Sequence, residues 1–110
     1  MIGSIQLSSS REYLDFILDQ LSGLKEITFK QMMGEYIIYY HGKIVGGIYD
    51  DRFLVKPVKS AHEKMPDAAM EKPYPGAKEM ILVSDVEDRD FLTELVQAIY
   101  DELYGAKSQA

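Results

Sequence analysis

Apolar residues recur at helical spacing in two stretches, one toward each end of the chain. In residues 8–23 they form a single stripe made of Leu14, Ile17, Leu18 and Leu21. Ser9 and Glu12 fit an N-terminal capping box, and Gly23 fits a stop in the left-handed conformation. We therefore predict an amphipathic helix over residues 8–23.

A second helix is predicted for residues 85–105. Asp85 fits the N-cap position, and acidic residues follow where the helix dipole favours negative charge, at Glu87, Asp88 and Asp90. The apolar stripe comprises Phe91, Leu92, Leu95, Val96, Ile99 and Leu103. Gly105 is the expected end of this helix, and the residues after it are expected to fray.

Between the helices, apolar and polar residues alternate in four segments, 26–33, 35–41, 43–50 and 52–56. His41-Gly42 and Asp50-Asp51 are short-turn pairs between three of these segments. All four prolines lie in residues 57–78, and ladder strands reject proline. The pattern predicts a four-stranded antiparallel meander that ends at Lys56.

The remaining segments complete an α-β-β-β-β-α-β-α order. Residues 58–65 favour a short helix, 71–78 a turn or extended segment, and 79–84 an apolar strand inside the sheet. This order predicts an α+β fold with two layers, in which helices cover one face of an antiparallel sheet of about five strands.

The turn lengths assign the strand residues to two faces. Two loops of even length set Tyr39 opposite Ile44, and Ile48 opposite Phe53. The face without charges should lie under the helices and comprises Ile37, Tyr39, Ile44, Gly46, Ile48, Phe53 and Val55. The opposite face, here called the mixed face, supplies the candidate interaction residues Tyr36, Ile38, Tyr40, Lys43, Tyr49, Arg52, Leu54 and Lys56, with Val45 and Gly47 between them.

Two details depend on the same register. The ring of Tyr36 should lie opposite Gly47 and cover that bare strand position. Ile27 and Phe29 should join the helix-covered face only if residues 33–35 form a three-residue loop, with Gly34 in the left-handed conformation.

Three interpretations of the mixed face stay open. Tyrosine and arginine are favoured at protein interfaces, which points to a homodimer or a protein partner. The proline-rich segment 57–78 could instead cover this face from within the chain. A base-stacking platform for single-stranded nucleic acid is the third interpretation.

Composition narrows these choices. A chain of 110 residues is enough for one domain, 1–110, with an ordered core at about 8–105. A net charge of −6 opposes direct nucleic-acid binding. The sequence has no cysteine, no signal segment and no apolar run of the ~20 residues that a membrane span needs. We expect a cytoplasmic protein that does not enter a membrane.

Candidate catalytic chemistry is sparse. His41 lies at a turn and His62 on the short helix, and their spacing does not call for a metal site. Asp50 and Asp51 are adjacent on a hairpin, where aspartate suits the backbone and neighbouring side chains point apart. We expect no catalytic residue, no metal, no cofactor and no small-molecule substrate.

Glycine and methionine positions are interpreted as packing. Gly46-Gly47 lies inside a strand without a phosphate-binding motif, which favours close approach of another backbone or a ring. The side chains of Met32, Met33 and Met80 are predicted to fill the core.

Several short motifs together resemble the TfoX N-terminal domain family of bacterial competence regulators, also called the Sxy family. They are "LSG" at 21–23, "MMGEYIIYY" at 32–40, Gly42-Lys43, Asp50-Asp51, "FLVK" at 53–56, Pro73-Tyr74 and the closing helix at 86–104. Glu35 departs from the pattern, because the family often has a second glycine there. The resemblance covers nearly the whole chain.

The resemblance implies a fold similar to the type III secretion chaperones, without catalytic residues or a cofactor. Full-length regulators of this family act as transcriptional coactivators beside a DNA-binding cyclic-AMP receptor protein, and they carry a second, C-terminal domain. This chain ends just after the closing helix, so we expect a stand-alone N-terminal domain.

The expected function is therefore a non-enzymatic, regulatory protein-interaction module whose partner is another protein or a second copy of itself. The alternative is a small nucleic-acid-associated regulator using Lys43, Arg52 and Lys56. An enzyme, which would have to rely on His41 and the carboxylates, ranks last.

Overall fold

The computed structural model describes residues 9–105, and the predicted frayed ends lie outside this range. Its helices are α1 (Arg11–Gln20), α2 (Lys59–Lys64) and α3 (Arg89–Tyr100), the last continued by a π-helical turn at Asp101–Gly105. Its strands are β1 (Ile27–Met32), β2 (Glu35–Tyr40), β3 (Lys43–Ile48), β4 (Phe53–Val55), β5 (Met70–Glu71) and β6 (Met80–Leu82).

The strands form one antiparallel sheet in the order β1-β2-β3-β4-β6-β5. The predicted meander and the internal position of β6 are confirmed, and so is the two-layer α+β class. A sixth strand, β5, was not predicted because two residues are too short to show an alternating pattern.

The helix ends differ from the predicted ones by a few residues. Ser10, not Ser9, caps α1, because its hydroxyl accepts a hydrogen bond from the Tyr13 N–H at 3.1 Å. The cap of α3 is Asp88, whose carboxylate accepts from the Phe91 N–H at 3.0 Å. At the other end of α1, the cap is Leu21, before Gly23. Capping geometry thus selected one of several adjacent serines or acidic residues.

Three tight hairpin turns connect the first four strands. Both central residues have positive φ in each turn: 54° and 87° at Met33-Gly34, 51° and 77° at His41-Gly42, and 54° and 54° at Asp50-Asp51. Paired positive φ angles characterise the type I′ turn, whose twist matches that of the strands. The first connection therefore has two residues, so the three-residue loop at 33–35 that was the condition for placing Ile27 and Phe29 under the helices does not form, although Gly34 is left-handed.

The β2–β3 ladder contains one irregularity. Tyr39 faces Ile44, as predicted, but Ile38 faces Gly46, so Val45 is an extra residue in β3. Such a β-bulge reverses the side on which the following residues lie, relative to the partner strand. Tyr36 consequently faces Ile48, not Gly47.

The bulge corrects the predicted faces. The main core, on the helix side of the sheet, combines Tyr36, Ile38 and Tyr40 of β2 with Ile48, Phe53 and Val55 of β3 and β4. Helices α1 and α3 close it with fully buried aliphatic side chains, Leu14, Ile17, Leu92, Leu95, Val96 and Ile99. The opposite side, called the open side below, carries Ile37, Tyr39 and Ile44, which were predicted to lie under the helices.

The β1 residues Ile27 and Phe29 also pack against the main core, although the turn before β2 is short. Phe29 faces Ile38 across the ladder, and its ring lies 5.8 Å from that of Tyr36 in an edge-to-face arrangement. Their placement on the helix side follows from the corrected orientation of β2.

The adjacent glycines of β3 do have packing roles. A methyl group added at Gly46 would lie 2.5 Å from the backbone oxygen of Leu54, and one added at Gly47 would lie 2.6 Å from the Tyr49 ring. Gly46 thus permits close strand approach, and a ring does cover Gly47. That ring belongs to Tyr49, not to Tyr36.

Candidate interaction site

The eight candidate residues of the mixed face fall on both sides of the sheet, so the prediction that they share one surface is wrong. The half that precedes the bulge lies on the helix side and comprises Tyr36, Ile38, Tyr40 and Lys43. The half that follows it lies on the open side and comprises Tyr49, Arg52, Leu54 and Lys56. The extra residue at Val45 accounts for the division.

Three residues of the helix-side half are buried in the main core. Tyr36 and Tyr40 are each 6% exposed, and the Tyr40 hydroxyl donates to the Gln97 side-chain oxygen at 2.7 Å. Burial raises the pKa of Tyr40, so the phenol stays protonated and can remain a donor. The Lys43 ammonium lies 5.8 Å from the ring centre of Tyr104.

The open-side half anchors a segment of the proline-rich region, residues 71–74, which we call the cover segment. The Arg52 guanidinium donates to the Glu71 carboxylate at 2.6 Å and to the backbone oxygens of Lys72 and Pro73 at 3.3 and 3.4 Å. It also donates to the backbone carbonyl oxygen of Tyr49 at 2.9 Å. Part of the proline-rich segment thus covers this part of the sheet, as one of the three interpretations had it, and Leu54 is fully buried on this side.

The cover segment does not reach β1 and the start of β2, and an apolar groove stays open there. This open groove has a volume of about 450 Å³ and is lined by Met32, Met33, Glu35, Ile37, Tyr49 and Tyr74. Tyr74, at the end of the cover segment, forms one wall, and its ring centre lies 6.4 Å from that of Tyr49. Tyr74 remains 59% exposed.

Two methionines at the rim contradict their predicted place in the core. Met33 is 95% exposed and Met32 is 53% exposed. Met33 also holds a φ of 54°, a left-handed conformation that side chains other than Asn, Asp and Gly rarely adopt. A strained and almost completely exposed apolar residue contributes little to the stability of the fold.

Carboxylates gather at the turn end of the open groove. Glu35 accepts from the Ser9 hydroxyl at 2.7 Å and from the Asp50 N–H at 3.1 Å. The Ser9 hydroxyl in turn accepts from the Asp51 N–H at 3.0 Å, and Asp51 accepts from the Ser10 N–H at 2.8 Å. This network fixes two hairpin turns to the start of α1, and it gives this end of the groove a negative charge.

Tyr49 supplies a hydrogen-bond donor on the wall of the open groove. Burial raises the pKa of its phenol above the ordinary 10.0, and Tyr74, Glu35 and Tyr39 act in the same direction. The phenol therefore remains neutral and protonated at physiological pH. It offers both an apolar ring and a polar tip to an occupant.

The two histidines lie apart from the open groove. His41 Nδ1 is 3.3 Å from the Glu26 carboxylate, at the opposite turn, and its ring lies 4.2 Å from that of Tyr40. His62 is exposed on α2. Within residues 9–105, no group of three or more His, Cys, Asp or Glu side chains is placed to hold a metal ion.

Sequence reasoning missed the open groove because it grouped residues by an unbroken alternation. Only Tyr49 belongs both to the mixed face and to the groove. One signal was present: a glycine inside a strand often marks a bulge, and Gly46-Gly47 directly follows the bulged Val45. The exposure of Met33 had no comparable signal.

Fold and site together define a class: an α+β domain with three helices on one side of its sheet and a partly covered apolar surface on the other. The chain belongs to the TfoX N-terminal domain family, whose model matches residues 19–102. A relative from Spirochaeta aurantia, an uncharacterised 12.7 kDa protein in the trpE 5′ region, is 32% identical over 80 residues, or 73% of this chain and 70% of that protein. No solved structure matches the chain.

One further property concerns membranes. Among the helices of residues 9–105, none combines the length and the apolar character that crossing a bilayer requires.

Proposed function

We propose that this chain is a non-enzymatic protein-interaction module with a regulatory role, and that its open groove holds an apolar segment of a partner protein. The observation that carries the proposal is the rim of the groove, where Met33 is strained and 95% exposed. The regulatory part of the proposal rests on membership of the TfoX N-terminal domain family.

The groove suits an apolar side chain better than a polar one. Its walls combine the thioether chains of Met32 and Met33, the aliphatic Ile37, and the rings of Tyr49 and Tyr74. Methionine adapts its shape to different occupants, and tyrosine adds contact area with little loss of conformational entropy. Burial of one aliphatic or aromatic side chain there would contribute about 1.5–3 kcal/mol to binding.

Charge adds a second criterion for the partner. Glu35, Asp50 and Asp51 lie together at one end of the open groove, and the whole chain carries a net charge of −6. A partner segment with a lysine or arginine next to its apolar residue would be favoured over an acidic one. Three of the motifs that resemble the family, at 32–40, at Asp50-Asp51 and at Pro73-Tyr74, also surround this groove.

The experiment is selection from a displayed library of nine-residue peptides, followed by affinity measurements on the enriched peptides. We expect enrichment of apolar residues flanked by lysine or arginine. Met33→Asn and Ile37→Thr should each weaken binding by about ten-fold, since each removes roughly 1.4 kcal/mol of apolar contact.

Two controls separate binding from folding. Asparagine tolerates positive φ and suits the first position of a type I′ turn, so Met33→Asn should keep or raise the unfolding free energy while binding falls. Met70→Ser changes an exposed methionine outside the groove and should leave affinity unaltered. Equal affinity for the wild type, Met33→Asn and Ile37→Thr would exclude the groove as the binding site.

The nucleic-acid alternative has less support. Lys43 and Arg52 lie on opposite sides of the sheet, and the guanidinium of Arg52 is engaged by the cover segment. Lys43, Arg52 and Lys56 therefore do not form the joint basic surface that the alternative needs.

A further inference from the structure

The two edges of the sheet differ in a way that the open groove does not explain. The edge strand β5 has two residues, whereas the other edge strand, β1, has six. Short strands are a common protection of sheet edges, and a long unprotected edge is a template for another strand. Among the described residues, β1 pairs with β2 alone.

The backbone groups that face the free edge can be assigned. The His41 N–H donates to the Glu26 oxygen at 3.1 Å, which continues the β1–β2 ladder by one pair. Backbone groups of alternate residues point to alternate edges of a strand. Since Glu26 points toward β2, so do Thr28 and Lys30. The N–H and C=O groups of Ile27, Phe29 and Gln31 point outward.

An apolar surface lies directly beneath this edge on the helix side. A groove of about 510 Å³ is bounded there by Leu18, Leu21, Ser22, Leu24, Glu26, Ile27, Thr28 and Phe29. Leu18, Leu24, Ile27 and Phe29 are only partly buried and pack against the main core. The main core is therefore incompletely closed along β1.

We propose that two copies of this chain pair through β1 in antiparallel orientation about a twofold axis at Phe29. This register uses all outward groups of both strands, because Ile27 would pair with Gln31 of the second copy and Phe29 with its own equivalent. The two six-stranded sheets become one, and the two Phe29 rings extend the apolar row of each core. Such a twofold contact is isologous and closes at two copies.

Charge argues against one alternative register, and strand length argues against the other. On the open side, Lys30 faces Thr28 of the second copy and lies diagonal both to its Glu26 and to its Lys30, so this register places no two like charges directly opposite each other. An axis at Lys30 would set two lysines directly opposite each other. An axis at Thr28 would set Lys30 opposite Glu26 of the second copy, but it would leave the outward groups of Gln31 opposite Lys25, outside the strand.

Cross-linking of introduced cysteines tests the pairing, since the sequence contains no native cysteine that could compete. Thr28 and Lys30 are both exposed, and their Cα atoms in the pair would be about 4.5 Å apart, within the range that a disulfide spans. An equal mixture of Thr28→Cys and Lys30→Cys chains should give mostly the mixed cross-linked dimer under mild oxidation. Lys78→Cys, an exposed control, should not cross-link with Thr28→Cys.

Charge substitutions at Thr28 test the same pairing without cross-linking. Thr28→Lys places like charges opposite Lys30 of the second copy, and Thr28→Glu places opposite charges there. By sedimentation, the dimer dissociation constant should rise with lysine and fall with glutamate, by about two- to thirty-fold across the two symmetric pairs. Thr28 lies outside the open groove, so peptide binding there should not change.

Other outcomes overturn the proposal. Efficient cross-linking of Thr28→Cys or Lys30→Cys with itself would contradict the axis at Phe29. A chain that sediments as a monomer at ~100 µM and forms no mixed cross-link would exclude self-pairing. The edge would then be free for an extended peptide of another protein. Because these results do not involve the open groove, they leave the proposed function unaffected.

Discussion

The two sides of the sheet are closed by different means. The helix side is packed by three helices over fully buried aliphatic and aromatic side chains, among them Phe53, Ile48 and Leu95, and it stays incompletely closed along β1. The open side is closed only in part, by a cover segment that Arg52 holds with polar contacts. Hydrophobic burial thus stabilises one side, while the other side leaves apolar surface exposed.

The largest expected effect comes from truncating a side chain in the main core. Phe53→Ala should lower the unfolding free energy by about 3–5 kcal/mol, because a fully buried ring leaves a cavity. The matched change on the open side, Ile37→Ala, should cost about 1 kcal/mol or less. Urea unfolding measures both. Similar losses for the two variants would mean that the open side is as closed as the helix side.

The adjacent glycines provide the next comparison. Gly46→Ala should cost about 1–3 kcal/mol, since the new methyl group meets the backbone oxygen of Leu54 at 2.5 Å and a paired strand cannot withdraw. Gly47→Ala meets the end of the Tyr49 side chain, which can rotate away, so its loss should be smaller. Thermal unfolding of the two variants side by side gives the order, and a reversed order would contradict the packing described.

A smaller effect is expected from the polar clamp. Arg52→Met keeps the aliphatic stem and removes the guanidinium, and it should cost about 1 kcal/mol because the Arg52–Glu71 pair is partly exposed. Amide hydrogen exchange should accelerate at Glu71, Lys72 and Tyr74 and stay unchanged in α3, while Pro73 has no amide hydrogen. Lys56→Met, a control on the same side, should leave exchange in the cover segment as it was.

The smallest effect concerns acid pH and the helix side. Glu102 accepts hydrogen bonds from the Ser60 N–H at 2.7 Å and the Lys59 N–H at 3.2 Å, and the bonds from Ser60 lower the pKa of its carboxyl below the ordinary 4.5. A carboxyl whose pKa is lower in the folded than in the unfolded chain stabilises the fold at pH values above its unfolded-state pKa. This contribution is lost as the pH falls below about 4.5 and through the folded-state pKa.

In Glu102→Gln, the unfolding free energy should therefore fall slightly less steeply as the pH is lowered into the acid range. Its pH dependence near neutrality should be the same as in the wild type. Glu94→Gln, another exposed change near the end of the chain, serves as the control. Urea midpoints measured between pH 3 and 7 give the comparison. An unchanged acid slope in Glu102→Gln would mean that the carboxylate does not cap α2.

The sequence was sufficient for every helix and strand except β5, for two of the three tight turns and for two cross-strand residue pairs. Amphipathic periods located α1 and α3, and the pairs His41-Gly42 and Asp50-Asp51 correctly set Tyr39 opposite Ile44 and Ile48 opposite Phe53. These features depend on neighbours in sequence. Local chemistry therefore decides them.

The faces and the candidate site depended on a longer-range property. Both predicted pairings were right, yet the stretch between them contains Val45, which has no partner in β2, and that one residue reverses the face assignment on one side of it relative to the other. Composition cannot reveal such an inversion when both sides of the sheet are apolar and aromatic. Met33 was missed for a similar reason, because its exposure follows from turn geometry and not from its hydrophobicity.

The bulge at Val45 has a consequence for how this sequence can vary. Substitution of Val45 by another small aliphatic residue alters only local packing. Its deletion would remove the bulge, so the alternation of side chains between the two faces would run through β3 without interruption. The groups that now face the helices on one side of the bulge would be exchanged with those that face outward. We therefore expect β3 to accept changes of residue type more readily than changes of length. An insertion in the loop between β5 and β6 would not change which side chains face the helices, so length changes should be tolerated better there.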